Sequence, residues 1–274
     1  MAQEQRKFLA FDEAATYFYE KFAESAPQRF DKYLQAAGGN HVEAIARYRY
    51  NLELSASLLP ALHAAELTLR NSIHQAMCLH YLSPKPGKAK PTLYFPDGTL
   101  AEPDWWLSHE VHGKPLLVER DWEKVVDAYN KVPKNGQPIT PRVVAELTFG
   151  FWVELLNPNY DQTIVIPMLG TTMRKVQAHN KSNRNRGWLR LWFGRFRDLR
   201  NRVSHHEPIY HLDQELEERW QMAWLVAGET NNFFTNVVAR SCNFIQTKKA
   251  GWTKQQASVQ TVIEEFYRDH KANQ

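Results

Sequence analysis

Apolar residues recur at spacings of three and four through most of this chain, the interval that lines one face of an α-helix. The pattern predicts helices over 11–25, 41–81, 116–131, 141–157, 161–179, 186–206, 213–240 and 253–270, with a short one at Asp104–Glu110. The stretch 41–81 is expected to be interrupted near Pro60, because proline removes an amide donor and clashes with the turn before it. Pro115 and Pro141 suit first-turn positions, with Thr140 as the cap of the second helix. Prolines 84, 86, 91, 96 and 103 make 83–103 a surface loop, and Lys131–Thr140 reads as another loop. No strand series with hairpin turns and no repeat of solenoid period is visible. The expectation is an all-α bundle over 1–274, folded as a single helical domain with the Pro-rich loop as an insertion.

The segment 186–206 is the most informative. On a wheel of about 100° per residue, Leu189, Trp192, Phe193, Phe196, Leu199 and Val203 share one continuous sector. That is a core-facing stripe, and its aromatics are read as core rather than as a platform for stacking bases. Arg200 falls inside the same sector, between Leu189 and Phe193, whereas Arg190, Arg195, Arg197 and Arg202 point away from its centre. A guanidinium edged into an apolar face needs an anionic partner or a functional cleft, since an unpaired buried charge is costly. His205 and His206 follow, then Glu207-Pro208. Proline disfavours the α region at the residue before it, so the helix should end there. Both imidazoles then flank the carbonyl end of the helix, where its dipole favours cations.

Composition narrows the class. Hydrophobic residues make up 43% of the chain and nine residues are tryptophan, so it is globular and long enough to bury a core. No apolar run approaches the roughly 20 residues that span a bilayer, so no membrane association is expected. The amino terminus lacks the pattern of a secretory signal. Cys78 and Cys242 lie far apart, which argues for a reducing compartment; the expected location is cytoplasmic. A net charge of +4 says little, but its distribution says more. From Arg174 to Arg202 there are ten Lys or Arg against one acid, Asp198, a pattern suited to a polyanion or, alternatively, to a solvated basic face. Arg184, Arg186, Arg190, Arg197 and Arg202 are the candidate RNA-binding residues in this run.

Two histidines and an arginine are suitable groups for metal-free phosphodiester cleavage. One imidazole can take the proton from a ribose 2′-hydroxyl while another protonates the departing 5′-oxygen. A guanidinium offers planar paired donors to the non-bridging phosphoryl oxygens as charge gathers there. Other chemistries lack their groups. His109-Glu110-Val111-His112 has the wrong order for a helical zinc site, and there is neither a phosphate-cradling glycine loop nor a serine-nucleophile elbow. No metal and no cofactor is expected.

Arg200-Asn201-Arg202-Val203-Ser204-His205-His206 resembles the Arg-x4–6-His signature of HEPN ribonucleases, in the Arg-Asn-x3-His-His form of Abi-like (abortive infection) proteins. Arg47-Tyr48, Asn51 and Leu54-Ser55, running into Leu62-His63-Ala64-Ala65-Glu66-Leu67-Thr68-Leu69-Arg70-Asn71, resemble the same subfamily. So does Glu146-Leu147-Thr148-Phe149-Gly150-Phe151-Trp152, and the blocks stand in the family's order over about 41–240. The resemblance implies a HEPN-type helical bundle and a metal-independent endoribonuclease, deployed in antiphage abortive infection or as a toxin. By the same carry-over Arg200 and His205 match the catalytic pair, Asn201 the polar residue that orients the site, and His206 the adjacent histidine. One full motif per chain implies a homodimer, and the family admits a small noncoding RNA or an antitoxin as partner.

Several readings stay open at this level. Arg200 can serve as a structural salt bridge. Glu66 and Arg70, spaced i, i+4, suit an intrahelical ion pair or a supporting role at the site, and Glu66 can instead anchor Arg200. The repeat Leu-Arg-Asn at 69–71 and 199–201, with His74 after the first copy, suggests an intramolecular second half-site. The competing functions are a non-catalytic RNA-binding HEPN module, holding a small noncoding RNA, and a protein-interaction module that retains the motif without its chemistry.

Overall fold

The computed structural model describes residues 2–82, 106–108, 110, 111, 113–133, 139–175 and 186–272, with side chains left undescribed at 2–10, 82, 108, 213 and 270–272. The Pro-rich segment 83–103 and Arg184 lie outside the described residues. The fold is all-α. In chain order its helices are α1 (Ala2–Ala23), α2 (Pro27–Ala36), α3 (His41–Met77), α4 (Glu119–Lys131), α5 (Thr140–Glu146), α6 (Phe149–Glu154) and α7 (Ile166–Thr171). They continue with α8 (Arg186–Ser204), α9 (Asp213–Thr230), α10 (Asn232–Val238), α11 (Phe244–Ala250) and α12 (Thr253–Ala272). A two-residue antiparallel pairing, Glu110–Val111 with Lys114–Pro115, turns through Gly113, whose φ of 71° suits glycine. Among the described residues no helix is long and apolar enough to cross a membrane.

The chain packs as two compact units, each drawn from separate stretches. The first comprises Met1–Leu59, Arg202–Leu216 and Cys242–Gln274. Its core joins α1, α2, the first half of α3 and α12 through Phe30, Tyr33, Ile45, Ala46, Val259 and Ile263. Phe22, Phe30 and Tyr48 pack ring against ring, with centroids 4.6 to 5.4 Å apart. The second comprises Pro60–Asn201 and Glu217–Ser241. Leu62, Ala65, Leu69 and Ile73 of α3 and Leu189, Phe193, Phe196 and Leu199 of α8 belong to it and are buried.

Where helices start and stop departs from periodicity in instructive ways. The interruption expected near Pro60 does not occur: α3 runs unbroken for 37 residues. The carbonyl that Pro60 leaves without a donor belongs to Ala56, an exposed residue, so water can take that bond. The helix expected at 141–157 is two, α5 and α6, because Thr148 turns extended and its side chain caps α6 by accepting from the Phe151 amide at 3.3 Å. Thr140 is the first residue of α5 rather than its cap, and Pro115 lies in the strand pairing four residues before the start of α4. Asn231 likewise ends the 213–240 stretch early and caps α10 through the Phe234 amide at 3.0 Å. Of the expected Asp104–Glu110 helix, Trp106–Ser108 form one 3-10 turn and Glu110 joins the strand pairing.

One buried charge braces the second unit. Asp121, only 1% exposed, accepts from Lys124 Nζ at 2.8 Å and from the Tyr160 hydroxyl at 2.8 Å. Burial works to raise this carboxyl, but the hydrogen bonds from Lys124 and Tyr160 outweigh it and hold it below the usual carboxylate range. A group whose folded pKa is depressed contributes stability that is present above its unfolded value and is lost as pH falls through the folded one. Part of the stability of this unit is therefore expected to fade as pH drops below about 4. Asp121→Asn should remove that dependence and cost about 1–3 kcal/mol at neutral pH. Denaturant melts of both proteins at neutral and acid pH check this, and parallel pH profiles would refute it.

Candidate active site at the end of helix α8

Helix α8 buries Leu189, Phe193, Phe196, Leu199 and Val203, the stripe expected from the sequence. Trp192 of the same set is only half-buried, with the Arg195 guanidinium 4.9 Å over its ring. Arg200 sits at the edge of the stripe, where its Nε lies 3.8 Å from the Glu66 carboxylate of α3 and 40% of its side chain is exposed. The arginine therefore has a carboxylate neighbour without being sealed in. At that distance and exposure the pair is weak, about 1 kcal/mol at most, and the guanidinium remains open to a further anion.

Of the three readings for Glu66 and Arg70, the geometry selects Glu66 as the neighbour of Arg200. Arg70 turns to Asn71, with Nε 3.4 Å from Oδ1. The second half-site around His74 is not supported, because His74 Nδ1 accepts from the indole N–H of the buried Trp106 at 2.9 Å. That imidazole is committed to packing.

The helix ends through a left-handed cap. His206 has φ 54°, its amide donates to the Val203 carbonyl at 3.1 Å, and the Glu207 amide donates to the Arg202 carbonyl at 2.9 Å. These bonds satisfy two of the carbonyls that a helix end leaves open. Glycine is the usual residue at such a position; here it is histidine. Glu207 adds a 3.8 Å ion pair with Arg202. His205 is the residue between helix and cap, and Asn201, His205 and His206 are all exposed. The Arg29 guanidinium of α2 donates to the His205 carbonyl at 3.2 Å. Asn51 of α3 donates to the Glu207 carbonyl at 3.2 Å and accepts from the Ile209 amide at 2.7 Å. Asn51 stood in the sequence only as part of a motif, and Arg29 carried no signal.

The left-handed cap makes His206→Gly a clean probe of that imidazole. The substitution removes about 1 kcal/mol of backbone strain and gives back a similar or smaller amount through the more flexible unfolded chain. Stability is expected to stay level or rise by up to about 1 kcal/mol, read by chemical denaturation. A clear loss would mean that contacts of the imidazole, rather than φ, govern this position.

The basic run is less free than its one-dimensional charge count implies. Asp161 accepts from Arg186 at 2.9 Å and from Arg190 at 3.0 Å. Arg197 pairs with Asp198 at 3.0 Å and Glu154 at 3.5 Å. Acids supplied from 154 and 161 thus offset charge that appears uncompensated between Arg174 and Arg202.

The sequence model of the family described as Abi-like protein matches residues 11–211, well over half of the chain. The chain belongs to the Abi-like family. No curated protein and no solved structure matches it. Membership associates this Abi-like protein with an abortive-infection-related function. The matched span holds Arg29, Asn51, Glu66, Arg200 and the cap at 205–209, whereas α9, α10, α11 and α12 lie beyond it.

Proposed function

We propose that this Abi-like protein is a HEPN-type, metal-independent endoribonuclease that acts as a toxin in antiphage abortive infection. The observation that carries the reading is the end of α8, where exposed His205 and His206 follow a partly open Arg200 within two helical turns. Arg200 donates to the non-bridging oxygens of the scissile phosphate and neutralises charge as it develops. Glu66 orients that guanidinium from α3. A histidine takes the proton of the ribose 2′-hydroxyl, whose oxygen attacks phosphorus. The bond to the 5′-oxygen breaks, and that oxygen leaves with a proton from a second imidazole. His205 holds the central acid–base role, His206 stands beside it, and Asn201 contributes a polar contact. Two chains paired as a homodimer bring two such helix ends to one substrate. Arg186, Arg190, Arg197 and Arg202, with Arg184, are the proposed contacts to the RNA backbone, the charge of the first four being partly offset by Asp161, Glu154, Asp198 and Glu207.

The products are then a 2′,3′-cyclic phosphate and a 5′-hydroxyl, and DNA is resistant because it lacks the attacking group. Incubation of the purified protein with RNA in EDTA, followed by end-group analysis, tests this. Intact RNA across several substrates, tRNA included, would overturn the proposal, and so would 3′-hydroxyl ends.

A further inference from the structure

We infer that Asn51 is a positioning residue for His205 and His206, acting through the backbone that follows α8. The inference rests on the ribonuclease reading of that helix end and adds a residue to it. Both imidazoles are exposed, so packing against neighbours does little to fix them. Their placement depends on the main chain that carries them, and that chain has just left the helix through a left-handed residue. Pro208 then intervenes, with no amide to donate. Asn51 spans it: the side-chain amide donates to the carbonyl on one side, Glu207, and the side-chain oxygen accepts from the amide on the other, Ile209. Asparagine is a poor helix former and is costly to bury, yet Asn51 sits inside α3 at 1% exposure. Its two bonds account for that placement, because a buried backbone group left unpaired costs more than the bond itself contributes. The Ile209 side chain, fully buried, anchors the far end, and Arg29 tethers the His205 carbonyl at the near end. The segment 205–209 is thus held at three backbone atoms while its imidazoles face solvent.

The test uses the full chain with Asn51→Ala, which removes both bonds, and Asn51→Asp, which keeps an acceptor for Ile209 at nearly constant size and removes the donor to Glu207. Ile263→Val, in the core of the same unit, serves as a control for general destabilisation. At a temperature where circular dichroism shows each protein folded, kcat for RNA cleavage should fall by up to about 100-fold in the Asn51 variants, the loss a displacement near 1 Å can produce. KM should change by less than about threefold, and the imidazole C–H resonances of His205 and His206 should move relative to wild type. Ile263→Val should alter neither. Should Asn51→Ala fail to fold, Asn51→Asp carries the comparison. Unmoved imidazole resonances, or a kcat within about twofold of wild type, would overturn the inference. A wild-type protein that leaves RNA intact while its imidazole resonances still depend on Asn51 would overturn the ribonuclease reading and leave the positioning role standing.

Discussion

Replacing His205 with alanine is expected to slow RNA cleavage by ~10²–10⁴-fold, the contribution of a positioned acid–base group, while the fold survives. The fold should survive because the imidazole is exposed and the cap is built from main-chain bonds: His206 to Val203, Glu207 to Arg202, and Arg29 to the His205 carbonyl. None of these needs the side chain at 205. Single-turnover cleavage of an end-labelled RNA in EDTA measures the rate, and growth of cells expressing each protein measures the consequence. Wild type should arrest growth and His205→Ala should permit it. Cleavage at the wild-type rate by a folded His205→Ala protein would remove this residue from the mechanism.

Arg200→Ala should lose ~10²–10³-fold in cleavage, the scale for one preorganised donor set facing developing oxyanion charge. Its effect on stability should be small, below about 1 kcal/mol, because the Arg200–Glu66 contact is long and partly solvated. That split separates the two roles weighed for this arginine. A structural bridge predicts loss of stability with cleavage following it down; a phosphate ligand predicts loss of cleavage at constant stability. Arg200→Lys should recover only part of the rate, since a point charge on a flexible stem does not reproduce a planar bidentate donor. Paired measurements of cleavage rate and denaturation midpoint decide between them, and a Lys variant as fast as wild type would exclude bidentate binding.

The parts of the fold legible in one dimension are those with strong local periodicity. Helix α8 is the clearest example: five of the six residues assigned to its apolar sector are buried, and its end, expected at 206, falls two residues earlier at Ser204. Boundaries set by single side chains were harder to read. The α5–α6 break at Thr148 and the start of α10 at Asn231 depend on one hydroxyl and one amide choosing a cap over continued helix. Apolar periodicity does not mark helix α2, although Pro27 stands in its first turn, a signal present in the sequence. Pro60 does not break α3, because the penalty for proline inside a helix weakens where the abandoned carbonyl faces water.

For the candidate site the same division holds. Sequence alone determined the helix, its apolar face, the place of Arg200 within the sector of that face and the pair of histidines at its end. All of these follow from residue order and a period of 3.6. Tertiary structure decided which partner each charged or polar group meets. Glu66 faces Arg200, Asp161 gathers Arg186 and Arg190, and Arg29 and Asn51 hold the cap from positions 176 and 158 residues away along the chain. A hydrogen bond or ion pair depends on atoms within a few ångströms of each other, and packing brings such atoms together from any distance along the chain.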